Sequence, residues 1–207
     1  MSRLGKIFII AAPSGAGKTS LVNAFVPRLD RIKISVSYTT RPPRPDDEEG
    51  IDYHFIDDAE FSHMVSEHAF LEYANVYGYR YGTGKKWVTE HLRSGIDVVL
   101  EIDWQGAQQV RNLFPSTVSI FILPPSIAVL AKRLQDRQQD DPQVIETRLS
   151  KARMELNHYK EFDYLVVNDD FVTAVEDLQD IVRVERLRIA EQQQEQAKLL
   201  ADLTNNG

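Results

Sequence analysis

The run Ile7-Phe8-Ile9-Ile10-Ala11-Ala12-Pro13-Ser14-Gly15-Ala16-Gly17-Lys18-Thr19-Ser20-Leu21 constrains this chain more than any other stretch. Six consecutive apolar residues give way to small turn-forming ones and then to Lys-Thr. That order reads as a buried strand, a loop and the start of a helix near Gly17. The loop fits the phosphate-binding pattern G-x-x-x-x-G-K-[ST], with Ala12 where the first glycine is usual. Glycines let successive backbone N–H groups turn inward around an anion, and the helix adds its positive end. Lys18 is placed to reach outer phosphates, and the Thr19 hydroxyl to bind Mg2+. Alanine fits position 12 only with a negative φ.

At 207 residues one domain is expected, with room for inserted subdomains. A net charge of −7 argues against a nucleic-acid partner, so any phosphate site must be a local cluster of basic groups. There are no cysteines, which excludes disulfides and thiolate metal sites and fits a reducing compartment. Arg3 and Lys6 before the apolar run imitate a secretory signal, but cleavage there would destroy the phosphate loop. No apolar run reaches membrane-spanning length, so a cytoplasmic protein with no membrane partner is expected.

The first helix is expected to end near Pro27, and residues 32–37 alternate as one short strand. Tyr38-Thr39-Thr40-Arg41-Pro42-Pro43-Arg44-Pro45 follows, with an acidic run behind it. Its prolines impose an extended, polyproline-like backbone with about three residues per turn, so Arg41 and Arg44 project from one side. Two guanidinium forks on a stiff spacer clamp one anion at little ordering cost. A ligand for a Pro-binding module, through Pro42-x-x-Pro45, is the alternative. Residues 70–77 read as a strand, 78–84 as a tight aromatic loop, and 85–94 as a helix. The run 96–103 is apolar until it ends in acids, as a parallel strand does whose carboxyl end faces a site. Asp103-x-x-Gly106 resembles a GTPase switch motif, but no Asn-Lys-x-Asp accompanies it. A strand at 118–123 precedes a helix capped by Ser126, with Arg133 and Arg137 four apart on one face. The next helix, from Pro142 to about Tyr159, carries Arg148. This arginine-rich pair suits a mobile lid, and a solvated helix face is the other reading of Arg133 and Arg137. A last strand at 163–167 leads to a helical stretch from 171 to about 203. Its polar segment 191–196 is expected to leave the core and either fray or pack on another subunit. Self-association through the C-terminal helix therefore stays open.

Taken together, Pro13-Ser14-Gly15-Ala16-Gly17-Lys18-Thr19, Ser35-Val36-Ser37-x-Thr39-Thr40-Arg41-x-Pro43-Arg44, Tyr81-Gly82-Thr83, Ile102-Asp103-x-Gln105-Gly106, Pro124-Pro125-Ser126 and Val167-Asn168-Asp169-Asp170 resemble the guanylate kinase family over residues 6–190. The resemblance implies an α/β P-loop nucleoside monophosphate kinase fold: a parallel central sheet with helices on both faces, a small GMP-binding insertion and a helical lid. The expected partition is a core of 1–37, 97–131 and 161–207, an insertion of 38–96 and a lid of 132–160. It implies transfer of the ATP γ-phosphoryl group to GMP, and to dGMP with it, with Mg2+ as cofactor. By resemblance Ser14, Gly15, Ala16, Gly17, Lys18, Thr19 and Ser20 contact ATP. Arg133, Arg137 and Arg148 belong to its phosphates and Asn168 lies near its adenine. The GMP phosphate falls to Arg41, Arg44, Tyr53 and Tyr81, and the base to Ser37, Glu72, Thr83 and Asp103. Lys18, Arg41, Arg137 and Arg148 are the catalytic set. The rivals are a non-catalytic guanylate-kinase-like phosphopeptide-binding module and a kinase of this family with another acceptor.

The chain departs from the family pattern at several places. Tyr38 stands where His or Ser is frequent, Gly84 where Ser is common, and Glu101 where Asp is common. Gly78-Tyr79-Arg80-Tyr81 replaces G-N-x-Y, which is expected to put Arg80 beside the phosphate pocket. Arg137-Gln138-Gln139-Asp140 replaces R-G-x-x in the lid.

Overall fold

A computed structural model describes residues 3–136 and 142–204. In chain order β1 (Ile7–Ala11) feeds α1 (Lys18–Phe25), followed by β2 (Ile32–Ile34), β3 (Ser37–Thr39) and β4 (Tyr53–Phe55). Next come α2 (Asp58–Ser66), β5 (Phe70–Val76), β6 (Tyr79–Gly84), α3 (Lys85–Arg93), β7 (Asp97–Glu101) and α4 (Trp104–Leu113). The chain continues through β8 (Val118–Leu123), α5 (Ile127–Asp136), α6 (Pro142–Leu156) and β9 (Tyr164–Val167). It closes with α7 (Phe171–Arg186), α8 (Ile189–Glu195) and α9 (Ala197–Thr204).

Five strands form a parallel sheet in the order β2-β7-β1-β8-β9, with β1 in the centre. All five residues of β1 are buried because both faces are covered. Phe8 and Ile10 pack with Leu21 and Phe25 of α1 and Val175 and Leu178 of α7. Ile7 and Ile9 meet Val88 and Leu92 of α3 and Ala107 and Val110 of α4. A strand with two buried faces has no polar alternation, which is why it reads as a continuous apolar run. Each large side chain buried there stabilises the fold by about 1.5–3 kcal/mol. Ser126 caps α5 as expected, its Oγ accepting the Val129 N–H at 3.1 Å.

A second sheet, β4-β3-β6-β5, is built entirely from residues between β2 and β7. Here the structure corrects two sequence expectations. The strand expected over 32–37 is two strands in different sheets. The Ser35 N–H still donates to Val99 O of the central sheet at 3.0 Å, whereas Ser37 pairs with Tyr53 and Thr83. Most of the loop expected over 78–84 is β6, which forms a hairpin with β5 and pairs on its other side with β3. Its turn is made by Tyr77 and Gly78, both at positive φ (53° and 85°), the conformation tight hairpin turns need.

The C-terminal stretch is a third correction. It is three helices, and the charged side chains of α8 fold back on the protein. Glu191 pairs with Lys6 at 3.0 Å and Arg3 at 3.6 Å, Glu195 pairs with Arg31 at 3.0 Å, and Gln192 donates to Arg186 O at 2.9 Å. Opposite charges at the base of the sheet hold this polar segment in place. The α9 helix leaves Leu199, Leu200 and Leu203 exposed.

Candidate active site

The phosphate loop starts where β1 ends. Ala16 N–H donates to Pro13 O at 3.1 Å, and Leu21 N–H donates to Gly17 O at 3.1 Å to open α1. Gly15 and Gly17 sit at φ 89° and 92°, where a side chain is strained. Among the described non-glycine residues only Arg31, His68 and Tyr77 have positive φ, so Ala12 meets its condition. A Cβ on Gly17 would collide with the Asn168 side-chain amide. That amide donates to Ala16 O at 2.8 Å, and the Arg133 guanidinium reaches Asn168 O at 3.1 Å and Ala16 O at 3.4 Å. Asn168 and Arg133 thus brace the outside of the loop. With Ser20, Asp169 and Phe171 they line a cleft beside it. Arg137 lies outside the described residues, as does the side chain of Arg148.

The Thr19 hydroxyl donates to Glu101 Oε2, at the end of β7, at 2.9 Å. A hydroxyl and a carboxylate are hard oxygen donors, and both are exposed or half-exposed at the mouth of the site. Among the described residues no group of three or more His, Cys, Asp or Glu is placed to hold a metal. One or two protein oxygens is the donor set used by Mg2+ when nucleotide phosphates and water supply the rest, so these residues fit that ion.

Across a cleft of about 240 Å³, the loop with Lys18 and Thr19 faces Ser37, Tyr53, Tyr81, Glu72 and Asp103. Strand pairing brings three of the base-side residues together: Ser37 lies opposite Thr83, and Thr83 opposite Glu72. Glu72 is only 4% exposed and accepts the Thr83 hydroxyl at 2.6 Å. Burial pushes its carboxyl up to about 7, Asp103 adds to the rise, and Thr83 partly offsets it. Asp103 caps α4, its Oδ1 accepting the Gly106 N–H at 2.9 Å. A Cβ on Gly106 would collide with Glu72 Oε2. The glycine of Asp103-x-x-Gly106 therefore makes room for a carboxylate, which the sequence pattern alone did not reveal.

The arginine stretch is organised by a residue the sequence reading passed over. Asp47 Oδ2 accepts the Arg41 guanidinium and the Arg44 N–H, each at 2.7 Å. Arg41 is buried and lies 5.4 Å from the Tyr53 ring and 5.7 Å from Phe55, whereas Arg44 is exposed. Partial burial works against the Asp47 charge, but the hydrogen bonds from Arg44 and Arg41 hold it below the usual carboxylate range. Burial pushes the Tyr53 phenol up to about 12. The one available signal for Asp47 was an acidic run directly after two arginines. Arg80 is corrected: it donates to Ser62 Oγ at 2.7 Å and covers the Phe61 ring at 4.3 Å, on α2 and away from the cleft. Tyr38 and Gly84 form one packing arrangement. A Cβ on Gly84 would stand 3.1 Å from the Tyr38 ring, which packs on His54 and Phe70.

A central parallel sheet, a glycine loop running from its middle strand into a helix, and a small second sheet closing a cleft over that loop define a kinase of the P-loop nucleoside monophosphate class. The family model described as guanylate kinase matches residues 4–185. The guanylate kinase of Coxiella burnetii is 59% identical over 197 residues, covering 95% of this chain and 96% of the relative. That of Legionella pneumophila is 52% identical over 202 residues, covering 98% and 97%. A crystal structure of guanylate kinase from Anaplasma phagocytophilum superposes with a TM-score of 0.81 at 30% identity, covering 99% of this chain and 97% of that one. The chain belongs to the guanylate kinase family. None of these relatives is described as a non-catalytic binding module.

Proposed function

We propose that the chain transfers the γ-phosphoryl group of ATP to GMP, and to dGMP through the same base contacts, releasing GDP and ADP. The observation that carries this reading is the single cleft with a lysine-bearing phosphate loop on one wall and the buried Glu72, with Asp103, on the other. Guanine presents a ring N–H beside an exocyclic amine, and ionised carboxylates only accept. Adenine lacks that donor pair and would leave Glu72 and Asp103 unpaired, which is a strong basis for rejection. Ser37 and Thr83 complete the base pocket, and Arg41, Arg44, Tyr53 and Tyr81 take the GMP phosphate.

The nucleophile is a GMP phosphate oxygen, ionised at neutral pH because its second pKa is about 6. No general base is needed. Lys18 and the loop N–H groups of residues 14–20 orient the ATP phosphates, with Arg133, Arg137 and Arg148 adding positive charge and Asn168 lying toward the adenine. Thr19 and Glu101 would hold Mg2+, which when bound neutralises charge on the β- and γ-phosphates. Phosphoryl transfer mostly requires in-line positioning and charge neutralisation, and arginines on both substrates offset their mutual repulsion. Residues 38–96 act as the GMP-binding insertion and 132–160 as the lid, closing on substrates so that water is kept out.

An ADP-release assay with GMP, dGMP, AMP, CMP and UMP side by side tests the assignment. Turnover with GMP and dGMP alone is expected; turnover with AMP at a similar rate would overturn the role of Glu72 and Asp103. Self-association through α9 is a separate part of the proposal, read out by sedimentation of the chain with Leu199 and Leu203 replaced by Gln.

A further inference from the structure

The two carboxylates that face the cleft come from different elements, Glu72 from β5 and Asp103 from the residue that caps α4. Asp103 is held at both oxygens: Oδ1 accepts the Gly106 N–H and Oδ2 the Gln105 side-chain amide, each at 2.9 Å. Glu72 sits on less secure ground. β5 is the outer strand of the second sheet, and its pairing with β6 shifts register between Phe70 and Glu72. An irregularity of that kind interrupts the ladder and lets a strand bend, here directly beside the carboxylate.

Gln109, in the second turn of α4, closes that edge. Its Oε1 accepts the Tyr73 N–H at 3.2 Å, and its Nε2 donates to Tyr73 O at 2.9 Å. Nε2 also lies 3.4 Å from Gln105 O. A primary amide offers an acceptor and donors side by side, so Gln109 pairs with Tyr73 much as a residue of a neighbouring strand would. The residue it grips is the one next to Glu72. Asp103, Gly106 and Gln109 are three apart, a spacing that makes them neighbours on successive turns. Along that stripe α4 holds Asp103, makes room for Glu72 Oε2 at Gly106, and fastens the β5 main chain.

We infer that Gln109 is a positioning residue for base recognition: by pinning the main chain at Tyr73 it fixes the spacing between the Glu72 and Asp103 carboxylates. The inference rests on the reading of those two acids as the guanine contacts. One carboxylate can meet the ring N–H of a purine alone. The exocyclic amine beside it also calls on the second, so its recognition depends on how far apart the two are held. Without the clamp, β5 is free to move off α4 at its irregular point, and the amine contact suffers before the ring N–H contact does. Gln109 is not among the residues that line the cleft, so it acts through Tyr73 and Glu72.

The test compares Gln109→Met, Gln109→Glu, Gln108→Met and Glu72→Gln with the parent, all as full chains. Steady-state kinetics are measured on GMP and on IMP, whose base keeps the ring N–H and lacks the amine. Met keeps the side-chain length and neither hydrogen bond; Glu keeps only the acceptor, and serves if the Met protein fails to fold. Both Gln109 variants are expected to raise the GMP KM roughly 3- to 10-fold, with kcat and the ATP KM within about twofold of the parent. The ratio of kcat/KM for GMP to that for IMP should fall by a similar factor. Gln108→Met, the same change at an exposed neighbour on α4, should move neither quantity. A GMP/IMP ratio unchanged in the Gln109 variants, whatever happens to Tm, would overturn the inference, as would an equal fall in Gln108→Met. If Glu72→Gln also left the ratio intact, the assignment of Glu72 to the base would fail. If Glu72→Gln collapsed it and the Gln109 variants did not, only the positioning role would fail.

Discussion

Two buried glutamates at opposite ends of the central sheet have been given opposite environments. Glu185, 3% exposed, lies at the amino-terminal edge of the strands. It accepts Tyr164 Oη at 2.7 Å, Lys6 Nζ at 3.2 Å and Arg188 at 3.1 Å. Burial alone would raise its pKa, but these donors outweigh it and hold the carboxyl below the usual range. Glu72, 4% exposed, lies at the carboxyl-terminal edge, where it has one hydroxyl partner and an acidic neighbour, and its pKa rises to about 7. Residue type and burial are the same; what differs is whether the chain satisfies the charge itself. At the base of the sheet the ions pair with each other and stabilise the fold. At the mouth, hydrogen-bonding capacity is left over, and that surplus is what a substrate can use.

Several substitutions press on this contrast. The largest effect is expected from Lys18→Ala, a cation at the mouth: kcat falls about 10⁴-fold while the GMP KM and the melting temperature change little. Near-normal turnover would remove Lys18 from the chemistry. Next, Glu185→Gln should cost about 3 kcal/mol of stability, lowering Tm by about 6–12 °C, with kcat of the folded protein retained. The same change at the other end, Glu72→Gln, should cut kcat/KM for GMP about 100-fold and narrow the gap to AMP, yet raise Tm at pH 8. The sign follows from the shift. The folded pKa of Glu72 lies above the ordinary glutamate value of 4.5, so its contribution to stability is intact below 4.5 and lost as pH rises through about 7. A fall in Tm for both variants at pH 8 would erase the distinction.

The GMP KM of the parent should drop several-fold between pH 6 and pH 8 as Glu72 ionises into an acceptor. The GMP phosphate ionises over part of the same range, so Glu72→Gln isolates the carboxylate's share by flattening the upper part of the profile. The smallest effect is expected from Arg44→Ala, whose side chain is exposed: the GMP KM rises about 3- to 10-fold and the ATP KM stays put. An effect confined to ATP would reverse its assignment.

Legibility follows the same divide. Strands β1, β7 and β8 were readable because two buried faces leave an unbroken apolar signature, and the phosphate loop because its geometry demands glycine at fixed spacing. The β6 strand was not, since its glycines and aromatics imitate a loop and only pairing with β5 and β3 makes it a strand. Arg80 was misplaced for a related reason: neighbours on a strand point to opposite faces, so it could not share the cleft with Tyr81. The break between β2 and β3 carries no proline or glycine; the chain changes sheets in mid-alternation. Asp47 was passed over because acids near arginines are common, and its meaning lies in the Arg44 amide it accepts from. The α8 helix looked unattached because its partners, Arg3 and Lys6, are almost a full chain length away.

That distance has a consequence for how the molecule is made. Lys6 leaves the ribosome 179 residues ahead of Glu185. At 5–20 residues per second the nascent protein waits about 10–40 s for that partner to emerge. Throughout the wait the central strand has a cation at its foot whose buried counter-ions have not yet been synthesised. A polypeptide stopped short of α7 is therefore a substrate for chaperones and proteases rather than a smaller working enzyme.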